Sequence, residues 1–314
     1  MNSVRLLTAE DVTARLNAKE CVNLMRQTFI DLENGKSKQY LRAVFTLSTG
    51  NVMGVMPADF NSFFGAKILS VYPSNYMRNL PSHQGEILVF DGETGSLKGL
   101  VDAMSVTGIR TGACSAVATD VLASPFASVL ALIGCGHQGW SHLDAIKEIR
   151  DLTEIRVFDQ ISEKAQHFAK DASERYGLNV IACSSVKQAV ETADIVCTLT
   201  SSKTPVLESG WIKSGCHINA VGACAKDARE LPSDLVVRSR FYCDSVESVM
   251  NESGDFLFPL KEELISEEHL LGTVGELLCG KIDGRTSADQ ITIFESLGMA
   301  VEDLAAADYV LGKD

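Results

Sequence analysis

Apolar residues recur at helical spacing from residue 8 to about residue 35. Val22, Met25, Phe29 and Leu32 fall three or four apart, and Thr8-Ala9-Glu10-Asp11 ahead of them reads as a capped helix start. The pattern then changes to short β-like runs at residues 42–47, 52–56, 65–72, 86–90 and 97–102. Asp91-Gly92-Glu93-Thr94-Gly95 between the last two predicts a hairpin. Strands in succession without helices between them predict an antiparallel or mixed sheet. From about Ser124 strands alternate with helices. Strands are expected at 129–133, 155–158, 179–182, 195–198, 217–221 and 241–243, and helices at 162–176 and 185–191. That alternation predicts an α/β fold with a doubly wound parallel sheet, whose ligands sit at the carboxyl ends of the strands. Residues 289–307, with Ile293, Leu297, Ala300, Val301 and Leu304 apolar, read as a helix returning to the first domain.

The apolar run 129–133 leads into Gly134, Gly136 and Gly139, spaced as G-x-G-x-x-G. In this motif the first glycine makes the turn, the second lets a pyrophosphate approach the backbone, and the third permits close packing of helix on strand. The phosphate would rest on the helix N-terminus, where His137 and Gln138 stand. Glycines alone predict only a turn. Asp159 adds the second half of the signal: it ends the next strand, about 20 residues after Gly139, where an acid accepts hydrogen bonds from an adenosine ribose. An acid there repels a 2′-phosphate, and no arginine follows in Asp159-Gln160-Ile161-Ser162, so NAD(H) is expected over NADP(H), without excluding the latter. Thr198-Leu199-Thr200-Ser201 and Val221-Gly222-Ala223 follow strands and should line the same edge.

Composition narrows the partners. The chain has 314 residues, is 46% hydrophobic and 22% charged, and carries a formal charge of −13. This is the profile of an ordinary soluble globular protein, and the negative charge argues against nucleic acid or an anionic membrane as main partner. No apolar run approaches a membrane span and the N-terminus lacks a signal-peptide core, so a cytoplasmic location is expected. Nine cysteines are scattered without a C-x-x-C pair, which suggests neither zinc nor a disulfide framework, and no metal is expected.

Three cations remain to be explained. Arg42, Lys67 in Phe64-Gly65-Ala66-Lys67-Ile68, and Arg110 in Thr107-Gly108-Ile109-Arg110-Thr111-Gly112 punctuate the first set of strands. Lys67 interrupts an apolar strand, where it either faces water or holds an anion, because a buried unpaired ammonium is costly. Residue by residue, the outward-facing reading is the commoner one. Asp227, Glu230, Asp234 and Asp244 follow strand ends and are the acidic candidates for chemistry; spacing does not choose among them.

Several further stretches resemble the ornithine cyclodeaminase and mu-crystallin family over nearly the whole chain. They are Gly65-Ala66-Lys67, Pro81-Ser82-His83-Gln84, Arg110-Thr111-Gly112-Ala113, Ile133-Gly134-Cys135-Gly136-His137-Gln138, His217-Ile218-Asn219-Ala220-Val221-Gly222-Ala223, Arg229-Glu230-Leu231 and Ser296-Leu297-Gly298-Met299-Ala300-Val301-Glu302-Asp303. The resemblance implies a Rossmann domain, here residues 121–291, joined to a substrate-binding and dimerisation domain formed by residues 1–120 and completed by 292–314, in a homodimer. It implies that Arg42, Lys67 and Arg110 hold the carboxylate of a small amino or imino acid. It places Thr111, Gly134, Gly136, His137, Gln138, Gly139, Asp159, Thr198, Val221 and Gly298 around a nicotinamide cofactor.

One departure bears on activity. Cyclodeaminase-like members carry Gly-(Gly or Ala)-Asp after the fifth parallel strand, whereas this chain has Gly222-Ala223-Cys224, with Asp227 three residues on. That arrangement looks like the ketimine reductases and mu-crystallin. The expected reaction is therefore NAD(P)H-dependent reduction of a cyclic ketimine acid, Δ1-pyrroline-2-carboxylate or Δ1-piperideine-2-carboxylate, to proline or pipecolate. In it Lys67 and Asp227 are the expected catalytic side chains, Asp227 keeping the nitrogen protonated. Asp227 as a structural loop acid is the alternative. Rival activities are ornithine cyclodeamination, alanine dehydrogenase-type amination and reduction of an opine-like adduct; a rival outside enzymes is a nicotinamide-bound binding protein.

Overall fold

The structure, a computed structural model, describes residues 4–313. The chain divides into two units, one running to Arg110 and resuming at Gly298, the other Thr111–Leu297.

The first unit opens with β1 (Arg5–Leu7), α1 (Ala9–Arg15) and α2 (Ala18–Glu33). Thr8 and Asp11 form the capping box expected of the α1 start, and α2 buries Cys21, Val22, Met25, Thr28 and Phe29 on one face. Next come β2 (Ser37–Gln39), β3 (Ala43–Thr46), β4 (Val52–Phe60), β5 (Phe63–Val71), β6 (His83–Asp91) and β7 (Leu97–Asp102). They form a mixed sheet in the order β1-β7-β6-β5-β4-β2, with β3 also paired to β4. Only β1 and β7 run parallel. The turn between β6 and β7 is closed by Asp91, whose carboxylate accepts from the Thr94 amide at 2.8 Å.

After β7 the chain enters α3 (Ala103–Leu122). Arg110 therefore stands on a helix, not among the strands where the sequence pattern put it. The helix is buried along most of its length and apolar all round, so it shows no amphipathic period to betray it.

The second unit holds β8 (Val129–Ile133), α4 (His137–Ile146), β9 (Glu154–Phe158), α5 (Ser162–Tyr176), β10 (Val180–Ala182), α6 (Val186–Val190), β11 (Ile195–Thr198), β12 (His217–Ala220), α7 (Ser233–Val237), β13 (Ser239–Cys243), α8 (Val246–Glu252), α9 (Gly254–Lys261), β14 (Leu270–Thr273), α10 (Val274–Leu278) and β15 (Ile291–Glu295). All eight strands are parallel, in the order β10-β9-β8-β11-β12-β15-β13-β14. The order reverses between β8 and β11, which is where a doubly wound sheet opens its ligand crevice.

The chain then returns to the first unit as α11 (Ala300–Gly312). The single helix expected over 289–307 is thus a strand, a turn and a helix. Ile291-Thr292-Ile293-Phe294 is β-branched and aromatic, and β15 is buried at every residue between β12 and β13. The turn after it needs Gly298, at φ +79°. Among the described residues no helix is long and apolar enough to cross a membrane, and no group of three or more His, Cys, Asp or Glu is placed to hold a metal ion.

Candidate functional site

In the second unit a cavity of about 670 Å3 opens at the switch point. Its walls come from the ends of three strands: Ile133, Gly134 and Gly136 after β8, Phe158 to Ile161 after β9, and Leu199 to Ser202 after β11. The three glycines are required for different reasons. Gly134 has φ +114°, and a Cβ on it would lie 2.7 Å from the Leu199 carbonyl. A Cβ on Gly139 would lie 2.8 Å from the Gly134 carbonyl. Gly136 is different: a Cβ there would meet nothing within 4 Å. It caps α4 without a side-chain hydrogen bond, so no side chain of the N-cap competes for the first amides of that helix.

Asp159 is fixed by two amides. One carboxylate oxygen accepts from Cys135 N at 3.0 Å and the other from Ile161 N at 2.9 Å. The acid therefore braces the glycine turn while lining the cavity. Gln138 Oε1 is buried with no hydrogen-bond partner among the described residues. Together the open cradle at Gly136, the uncapped helix start, the orphaned acceptor and the fixed acid fit a dinucleotide.

The remaining residues expected around the cofactor are distributed as follows. His137 is exposed at the first position of α4; Thr198 is buried at the end of β11 and Val221 is buried just past β12. Thr111 is buried at the start of the second unit. Gly298 lies in the first unit, its carbonyl accepting from Arg42 and its α-carbon close against the Arg110 guanidinium. Asp227 and Cys224 are exposed on the loop after β12.

In the first unit Arg42, Lys67 and Arg110 do converge. Lys67 is 3% exposed on β5 and Arg110 4% exposed on α3, so both are core residues and the outward-facing reading of Lys67 falls. What allows their burial is a pair of acids on the first turn of α11. Asp303 Oδ2 lies 2.5 Å from Lys67 Nζ, Asp303 Oδ1 accepts from Arg110 Nε at 2.9 Å, and Glu302 Oε2 accepts from Arg110 Nη1 at 2.8 Å. Thr107 Oγ1 lies 3.4 Å from the Lys67 ammonium. Arg42 donates from Nη2 to the Gly298 carbonyl at 3.0 Å, and a Cβ on Gly298 would come within 2.8 Å of the Arg110 guanidinium. Arg42, Lys67 and Arg110 thus stand close enough to act on one another's charge, an arrangement that suits an anionic ligand.

The electrostatics agree. Burial pulls Lys67 down to about 8; Asp303 opposes this, while Arg110 and Arg42 reinforce it. Burial would raise Asp303, but Arg110 and Lys67 hold it below its ordinary value. His83, from the Pro81-Ser82-His83-Gln84 stretch, is held below its ordinary value by partial burial and by the Lys67 charge.

Sequence reasoning gives Glu302 and Asp303 no role. Two adjacent acids in an otherwise apolar, fully buried helix turn are the available signal, since buried carboxylates require cationic partners.

The family model described as ornithine cyclodeaminase/mu-crystallin matches residues 3–313. The chain belongs to that family. Among its relatives is the ketimine reductase mu-crystallin of Mus musculus, 37% identical over 260 residues, covering 82% of this chain and 79% of the mouse protein. The Δ1-pyrroline-2-carboxylate reductase of Thermococcus litoralis, solved in complex with NADH and L-proline, is 35% identical with a TM-score of 0.94, over 98% of this chain and 96% of that one. An archaeal alanine dehydrogenase dimer with bound NAD is 28% identical with a TM-score of 0.94, over 98% and 95%.

Proposed function

We propose that the protein reduces a cyclic ketimine acid, Δ1-pyrroline-2-carboxylate or Δ1-piperideine-2-carboxylate, to the corresponding cyclic amino acid with NADH as reductant. The observation that carries this reading is the convergence of Arg42 with two buried cations, Lys67 and Arg110. A purely scaffolding core gains nothing from burying Lys67 and Arg110 against the desolvation penalty of each.

Arg110 and Arg42 grip the substrate carboxylate as planar forks, and Lys67 adds a compact charge. Glu302 and Asp303 hold Arg110 and Lys67 in place, so the grip is preformed. When bound along Gly134–Gly139 and Asp159, the dinucleotide supplies a hydride. The carbon of the C=N bond accepts it, and the nitrogen, kept protonated with the help of Asp227, becomes the amine. The fixed Asp159 carboxylate disfavours a 2′-phosphate, and so favours NADH over NADPH. Cys224, in place of the aspartate of cyclodeaminase-like members, supports the reductase over ornithine cyclodeamination.

The test is oxidation of NADH, repeated with NADPH, by the purified protein with each imine, beside ornithine plus NAD and pyruvate plus ammonia. Rapid oxidation with an imine and NADH is expected, as is its loss in Lys67→Ala with NADH binding unchanged. Ammonia release from ornithine without imine turnover would overturn the reading in favour of the cyclodeaminase; a silent Lys67→Ala would favour a binding protein.

A further inference from the structure

Glu230 is fully buried in the second unit and takes part in none of the chemistry above. Its carboxylate nonetheless gathers two of the loops at the carboxyl edge of the sheet. Oε1 accepts from Thr200 N at 2.7 Å and from Thr200 Oγ1 at 2.6 Å, and Oε2 accepts from Gly222 N at 2.8 Å. Thr200 lies on the wall of the dinucleotide cavity, between Leu199 and Ser201. Gly222 opens the loop that carries Cys224 and Asp227. The packing there is tight: a Cβ on Gly222 would lie 2.1 Å from the Thr200 carbonyl and 2.7 Å from the Glu230 carboxylate. Glu230 is itself held from behind, because Asp255 Oδ1 accepts from the amides of Glu230 at 2.9 Å and Leu231 at 2.6 Å.

We infer that Glu230 is a positioning residue that fixes the cavity wall at Thr200 and the Asp227 loop to each other through one carboxylate. The chemistry demands an acceptor at both oxygens. Both backbone partners are N–H donors, so a side-chain amide in place of the carboxylate would set its NH2 against one of them whichever way it turned. The role of the Asp227 loop in turnover rests on the reductase reading; the tie between the loops does not.

The experiment compares Glu230→Gln, Glu230→Asp and Thr200→Val with the parent protein by amide hydrogen exchange at Thr200 and Gly222, by NADH affinity from fluorescence, and by steady-state kinetics with Δ1-pyrroline-2-carboxylate. Glu230→Gln should speed exchange at both amides together and weaken NADH binding by about threefold or more, because the wall at Thr200 is no longer held in place. It should lower kcat while the imine KM, set by the cations, stays within about twofold. Thr200→Val, which keeps the amide and removes only the hydroxyl, should give a smaller change of the same kind and covers the case in which Glu230→Gln does not fold. Unchanged exchange and NADH affinity in folded Glu230→Gln would overturn the inference, as would a lowered melting temperature with no change in either. If the parent turns over no imine, the proposed reaction fails, and exchange and NADH affinity still decide the role of Glu230.

Discussion

Single residues here divide into those the fold needs and those only a ligand needs. Gly134 and Gly139 face backbone oxygens, whereas Gly136 faces open space with ordinary φ. Gly136→Ala should therefore leave the melting temperature within about 1 °C, since nothing is displaced, and should weaken NADH binding at least tenfold, because the methyl occupies the pyrophosphate's approach. Thermal unfolding and a fluorescence titration check both halves. Lys67 gives a pH dependence. Its pKa of about 8 means that the ammonium is present below that pH and lost above it. Affinity for a planar carboxylate whose own charge is constant there, such as pyrrole-2-carboxylate, should fall as pH rises through about 8, and Lys67→Arg should move that fall beyond the accessible range. Calorimetric titration from pH 6.5 to 9.5 reads it. The glycine motif and Asp159 are legible in the sequence because backbone approach to phosphate dictates residue type and spacing together. The cations are visible as residues but ambiguous as chemistry, because one sequence pattern serves both a solvated lysine and a buried one.

At the scale of elements, α11 does more than fill the core of the first unit. Its first turn supplies both counter-charges, and Glu302 also accepts from the Met299 amide at 3.1 Å, closing the helix start. Removing one acid should strand buried cations. Asp303→Ala is expected to destabilise the protein by about 3–5 kcal/mol, measured by urea unfolding, with loss of carboxylate binding. The two places where the sequence pattern misleads share a cause. Periodicity reports a boundary between apolar and polar surroundings, and neither α3 nor β15 has one: α3 is apolar all round and β15 is buried on both faces. Elements with one wet face, such as α2 and α5, are legible to within a few residues of their bounds.

For the whole molecule, β3 stands out on the surface: all four of its residues are exposed, Val44 and Phe45 at 60% and 52%. The return of the chain to its first unit has a consequence for biosynthesis. Lys67 and Arg110 leave the ribosome long before Glu302 and Asp303, the acids that make their burial tolerable. At about 5–20 residues per second the interval between Arg110 and Asp303 is roughly 10–40 s. During that time the intervening parallel-sheet unit can be completed while the strands ahead of it wait with their cations still in water. The part of the protein made first is thus the part that closes last, and its nascent form is the one a chaperone would meet.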